Sequence, residues 1–121
     1  MKYTLILIFC GTDVMLLERK YEPVKGMLTG VGGHIEENET SEECAHRELF
    51  EEANFDTELK YAGNLPGIDS ILFIGTITNK PFDHRYMAEG NISWYDTKEV
   101  CNDLRLTRTV KAILSLLRRD K

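Results

Sequence analysis

Six glutamates fall between residues 39 and 52: Glu39, Glu42, Glu43, Glu48, Glu51 and Glu52. If this stretch is helical, a turn of about 100° per residue places Glu48, Glu51 and Glu52 on one face, within an arc of roughly 80–100°. Glu48 and Glu52 then form an i, i+4 pair of like charges, which weakens a helix by about 0.2–0.5 kcal/mol. Arg47 can pair with Glu43 or Glu51, yet one guanidinium cannot neutralise three carboxylates. A Glu-rich helix is more often a solvated face than a site. Here the charge is concentrated on one stripe, and Gly32-Gly33 lies just upstream. A hard divalent cation would relieve the repulsion, because Mg²⁺ and Mn²⁺ favour oxygen ligands and tolerate several carboxylates.

The elements that must position these residues follow from local chemistry. Thr40-Ser41-Glu42-Glu43 fits a capping box, in which the Thr40 hydroxyl accepts from the Glu43 amide and the Glu43 carboxylate reaches back. The helix then runs to about Ala53, with Ala45, Leu49 and Ala53 as an inward stripe. Asn54 can end it, since Asn tolerates a left-handed conformation. Residues 3–10 and Val14–Leu17 read as two strands of a hairpin turning at Gly11-Thr12-Asp13. Residues 21–26 read as a loop. Met27–Gly33 (MLTGVGG) reads as a short strand running into a glycine turn. Thr57–Ala62, Ser70–Thr78 and Asn91–Tyr95 read as further strands, with loops at Gly63–Asp69 and Lys80–Arg85. Leu106–Arg119 is a second amphipathic helix burying Val110, Ile113, Leu114 and Leu117. The expected fold is α/β (α+β), a mixed sheet with two main helices in one domain spanning residues 1–121.

Composition narrows the function. A chain of 121 residues can bury a core without disulfides or a structural metal. Fifteen Lys and Arg against twenty Asp and Glu leave a net charge of −5, which argues against a nucleic acid polymer as partner. Cys10, Cys44 and Cys101 are an odd number with no C-x-x-C, so neither a disulfide framework nor a zinc site is expected. Leu5–Cys10 is at the short limit for a signal-peptide core and far too short for a membrane span. The expected location is cytoplasmic, with no membrane partner; monomer and homodimer both stay open.

Gly33–Phe55 reads GHIEENETSEECAHRELFEEANF, and it resembles the Nudix box, G-x5-E-x7-R-E-U-x-E-E-x-G-U with U a bulky apolar residue. Gly33, Glu39, Arg47, Glu48, Leu49, Glu51, Glu52 and Phe55 fall on their positions; Asn54 stands where the pattern has Gly. The strand order flanking the box also resembles the Nudix α/β/α sandwich. The resemblance implies that Glu48, Glu51 and Glu52 bind Mg²⁺ or Mn²⁺, with the Gly32 carbonyl completing the set. It gives Arg47 and Glu39 the task of orienting those carboxylates. A glutamate of the box or of a loop deprotonates the attacking water in this family, Glu48 being the first candidate and Glu52 the second. Glu89, five residues before Trp94, resembles the further acidic ligand of an E-x4-W arrangement; a plain loop-end carboxylate is its other reading. Arg19 resembles the basic residue used on substrate phosphates, or is a solvated arginine.

The implied reaction is divalent-metal-dependent hydrolysis of a nucleoside diphosphate-linked substrate, where the cation offsets the negative charge of protein and phosphates. Leu28-Thr29-Gly30-Val31-Gly32-Gly33 is similar to the W-N-G-x-G-G stretch of MutT-like triphosphatases, with Thr29 replacing the asparagine that reads the purine. The first expectation is a (d)NTP or modified (d)NTP cleaved to the monophosphate and pyrophosphate, with Arg19, Thr29 and Gly33 contacting it. ADP-ribose, NDP-sugars and dinucleoside polyphosphates are alternatives. A non-catalytic nucleotide-binding module is the alternative of another class, although such modules typically lose box glutamates or the arginine. His34 and His46 do not match ligand positions, His84 has no assigned role, and Trp94 reads as core rather than a stacking platform.

Overall fold

The computed structural model describes residues 1–119; residues 120–121 of the expected domain lie outside the described residues. The near-continuous apolar run at the start forms β1 (Tyr3–Cys10), and it is apolar on both faces because both faces are covered. Leu5 and Leu7 point to one side, where they pack with Val14, Leu16, Val110 and Leu114. Ile6 and Ile8 point to the other, against Met15, Leu17, Ala45, Leu49 and Phe73. The helices that cover these faces are α3 (Arg108–Arg119) on the first and α1 (Ser41–Ala53) on the second.

The other strands are β2 (Asp13–Arg19), β3 (Leu28–Thr29), β4 (Lys60–Leu65), β5 (Ser70–Ile77), β6 (His84–Tyr86) and β7 (Gly90–Asp96). They order as β4-β5-β1-β2-β7-β6, with β3 paired to β2. β1 pairs parallel with β5 and antiparallel with β2, so the sheet is mixed, as expected from the sequence.

The capping box forms as the sequence predicts. The Glu43 amide donates to Thr40 Oγ1 at 3.0 Å and the Thr40 amide donates to Glu43 Oε1 at 2.9 Å. A cap of this kind contributes about 1 kcal/mol. Asn54 closes the helix in the left-handed region, φ 59°, and its N–H donates to the Phe50 carbonyl.

Several boundaries differ from expectation, most of them for a non-local reason. β4 starts at Lys60 rather than Thr57, because its register is set by pairing with β5, and it runs on through a bulge at Gly63 into the segment expected to be loop. A 3-10 turn, Pro66–Ile68, follows it. His84–Tyr86, read as loop end, pairs with Ser93–Asn91 of β7; three residues are too few to show alternation. A short helix α2 (Thr97–Val100) begins where Asp96 accepts from the amides of Lys98 and Glu99. α3 begins after Leu106, since the backbone around it is engaged with β3: the Leu28 amide donates to Arg105 O and the Thr107 amide to Leu28 O. Among the described residues, no helix is long and apolar enough to cross a membrane.

Candidate active site

Three pieces of chain meet beside the first half of β1: the Gly32-Gly33 turn that follows β3, the inner face of α1, and the loop between β6 and β7 that carries Glu89. The turn lies directly on β1. The Thr4 amide donates to Gly33 O at 2.9 Å and the Ile6 amide to Val31 O at 2.8 Å. Gly32 sits at φ +152°, and a side chain there would run into the Thr4 carbonyl. A Cβ on Gly33 would lie 2.5 Å from the Glu48 carboxyl carbon, so only glycine leaves room for that carboxylate.

Glu52 is the innermost acid, only 5% exposed. Its Oε2 accepts from the Gly32 amide at 2.9 Å, while its Oε1 is buried with no partner. Burial pushes its carboxyl well above the ordinary range, and the neighbouring carboxylate of Glu89 pushes the same way, against the pull of the Gly32 amide. Glu89 and Glu52 are thus brought together although they are far apart in sequence. Glu48, whose side chain is 13% exposed, is also raised by burial, with the Arg47 guanidinium opposing.

Arg47 forms the frame. Its Nε donates to Glu39 Oε2 at 2.6 Å and its Nη2 to Glu39 Oε1 at 3.0 Å, a two-pronged pairing. Nη1 reaches Glu48 Oε1 at 2.8 Å and Glu51 Oε2 at 3.3 Å, and Nη2 also donates to His34 O at 3.1 Å. Arg47 and the Glu36 amide hold Glu39 down to about 2. Its folded value is below its unfolded one, so this pairing stabilises the fold above the ordinary carboxylate range. That contribution is lost as the pH falls toward about 2.

Glu51 departs from the convergent stripe expected on the helix. Its side chain is 57% exposed and turned toward Arg47. Among the described residues, no three His, Cys, Asp or Glu side chains converge closely enough to hold a metal ion as placed. The Arg47 guanidinium draws Glu48 and Glu51 to itself. The donor chemistry nevertheless fits a hard cation. It is all oxygen, it includes an unpartnered buried carboxylate atom in Glu52, and glycine clears the approach to Glu48.

Arg19 and Thr29 lie apart from this acidic group, on a cleft of about 200 Å³ that also involves Thr107. Arg19 Nε and Thr107 Oγ1 are both buried without a partner. Thr107 was invisible to sequence reasoning, because only the β3 contact that delays α3 turns it toward Thr29. Thr4 was missed as well: it reads as one more residue of an apolar strand. The remaining residues with open readings find ordinary partners. His46 pairs with Asp56 at 2.6 Å, His34 meets the Tyr3 ring edge-on, and His84 is exposed on β6 beside Tyr86. Trp94 packs on the α1 side of the core and donates to Phe82 O at 2.8 Å.

Comparison with known proteins gives a consistent picture. The NUDIX domain family model matches residues 2–108. Over 62 residues the chain is 36% identical to an NAD-capped RNA hydrolase, NudC, of Pseudomonas syringae pv. tomato; this is 50% of the chain but spans only 22% of that protein. Its fold is similar to that of a MutT protein from Methanosarcina mazei Go1, with a TM-score of 0.79 at 19% identity, covering 98% of this chain and 92% of that one. It is similar also to a C. elegans Ap4A hydrolase, with a TM-score of 0.75 at 19% identity, covering 98% and 96% of the two chains.

Proposed function

Because the chain belongs to the NUDIX domain family, we propose that it hydrolyses the pyrophosphate bond of a nucleoside diphosphate-linked substrate with the help of Mg²⁺ or Mn²⁺. The preferred substrate on this reading is a (d)NTP or modified (d)NTP, cleaved to the monophosphate and pyrophosphate. The observation that carries the proposal is the buried, unpartnered Oε1 of Glu52, set opposite Glu89 and beside a Glu48 that Arg47 holds in place. A desolvated pair of acids is costly as two carboxylates, and a shared proton or a cation relieves it.

In this reading Glu48, Glu51, Glu52, Glu89 and the Gly32 carbonyl would hold the cation. A divalent cation in such a site supplies positive charge to the phosphoryl oxygens and acidifies water. Arg47, braced by Glu39, keeps Glu48 oriented so that it can take a proton from the attacking water; Glu52 is the second candidate for that task. Water adds to phosphorus as the anhydride P–O bond breaks, and the bridging oxygen leaves with the departing phosphate. Beside the acids, Gly33 allows the backbone to approach the phosphates; at the other end, Arg19 meets the phosphates and Thr29 faces the base. The orphaned Arg19 Nε and Thr107 Oγ1 support this cleft as the place where a polar ligand is received.

The test is a steady-state screen over NTPs, oxidised dNTPs, ADP-ribose, NDP-sugars and dinucleoside polyphosphates with Mg²⁺ or Mn²⁺. The highest kcat/KM is expected for a triphosphate, with pyrophosphate as product. A higher value for a sugar or dinucleoside substrate would move the assignment within the family. Nucleotide binding without turnover of any of them would favour the non-catalytic module.

Position 29 gives a sharper prediction. If Thr29 faces the base, Thr29→Asn raises kcat/KM for oxidised purine triphosphates relative to unmodified ones. An amide donates and accepts at once along a purine edge, which a single hydroxyl cannot do in that geometry. The ratio between substrates should change more than the absolute rate, since a site built to hydrogen-bond a group rejects ligands that lack it. Paired kcat/KM values for oxidised and normal dGTP decide it, and an unchanged ratio would remove residue 29 from base recognition.

A further inference from the structure

We propose that the Thr4 hydroxyl, backed by the Cys44 thiol, is a buried latch that occupies the Gly33 amide and so keeps the Glu48 carboxylate available at the proposed cation site. Thr4 is the positioning residue; neither it nor Cys44 touches a reacting atom. Thr4 is 4% exposed and Cys44 fully buried, although Thr4 lies in a strand and Cys44 on the first turns of α1.

The argument starts from the backbone of the turn. The Gly32 amide is taken by Glu52, and the Gly33 carbonyl by the Thr4 amide. The Gly33 amide has no backbone acceptor; among the described residues its one acceptor is Thr4 Oγ1, at 3.4 Å. That hydroxyl also lies 3.5 Å from Cys44 Sγ. The thiol in turn lies 3.6 Å from His34 O and 3.8 Å from Gly33 O, and Arg47 Nη2 approaches it at 3.7 Å. One consistent proton arrangement runs from the Gly33 amide to the Thr4 oxygen, from the Thr4 hydroxyl to sulfur, and from the thiol to the His34 or Gly33 carbonyl. The Thr4 hydroxyl has a second acceptor in Gly33 O at 3.4 Å, and each contact is long and weak alone.

The consequence follows from what stands on the other side of Gly33. The Glu48 carboxylate sits where a Gly33 side chain would be. A half-buried amide left without an acceptor is costly, so an amide released by Thr4 will turn toward the nearest strong one. That acceptor is Glu48. Capturing it would take a cation ligand and the first candidate base out of service, and would tug on the adjacent Gly32 amide that holds Glu52.

This inference rests on the cation-site reading above, and the experiment separates the two. Mn²⁺ binding to the whole protein, without nucleotide, is titrated by the electron paramagnetic resonance signal of free Mn²⁺ for wild type, Thr4→Val and Thr4→Ser. Valine keeps the shape and removes the hydroxyl, whereas serine keeps the hydroxyl and removes the methyl. The expected result is a Kd about 10-fold or more higher for Thr4→Val, as for loss of other groups that orient metal ligands, and a value within about two-fold of wild type for Thr4→Ser. Equal Kd values for wild type and Thr4→Val would overturn the latch while leaving the cation site intact. Equal weakening in both variants would also overturn it, since methyl packing would then be the cause. A wild type that binds no Mn²⁺ would overturn both readings. Should Thr4→Val fail to fold, Cys44→Ala is titrated in its place: a Kd raised several-fold supports the latch, and a wild-type Kd overturns it.

Discussion

Glu52→Gln is expected to lower kcat by about 10²–10⁴-fold while the protein stays folded, the range seen when a metal ligand or a general base is lost. Glu48→Gln should fall in the same range. The amide keeps the size of the side chain and removes the charge, so packing against Gly32 and Gly33 changes little. Burial already favours the neutral form of the Glu52 side chain, so the metal-free variant should melt no lower than wild type. That combination, a stable fold with a lost rate, separates a functional acid from a structural one. Glu43→Gln is the control, because Glu43 lies on the capping side and receives the Thr40 amide. It should cost some stability and little rate. Equal and small kinetic effects for all three would mean that α1 presents only an acidic surface. The comparison needs kcat and the melting temperature of each variant.

The second large effect concerns the cation itself. A ligand that binds the folded state alone stabilises it by mass action, about 2.7 kcal/mol at a concentration 100-fold above Kd. Mg²⁺ at saturation should therefore raise the melting temperature of the wild type by several degrees. It also relieves repulsion among Glu48, Glu52 and Glu89, three acids that act on one another at short range. Glu52→Gln should lose most of this shift. Thermal melts of both proteins across a Mg²⁺ series are the check, and a wild type indifferent to millimolar metal would contradict the prediction.

Legibility from sequence divided along the range of the interactions involved. The capping box at Thr40, the stop at Asn54 and the stripe Ala45, Leu49, Ala53 are local rules of helix geometry, and they are found as read. Arg47 reaches Glu51, one of the two partners its spacing allowed, and it also meets Glu39, which only the family resemblance had linked to it. Glu89 was reached only through resemblance to an E-x4-W arrangement; periodicity in the strand alone says nothing about Glu52, yet the structure sets the two side by side. Glu51 shows the limit of a helical wheel. Its angular position is right, but its i, i+4 pairing with Arg47 and its exposure to solvent decide where the side chain points. The strand β6, the late start of α3 and the polar contacts of Thr4 and Thr107 all depend on partners far along the chain. No window of the sequence holds both halves of those interactions.

The claim that these glutamates form a cation site for pyrophosphate cleavage is tested most directly by following hydrolysis of a nucleoside triphosphate through a cycle of chelation. Turnover is measured with Mg²⁺, after addition of EDTA in excess, and again after Mg²⁺ is restored above the chelator. The expected result is loss of activity to background and its full recovery, with the nucleoside monophosphate and pyrophosphate as products in both active phases. Undiminished turnover in excess EDTA would contradict the account.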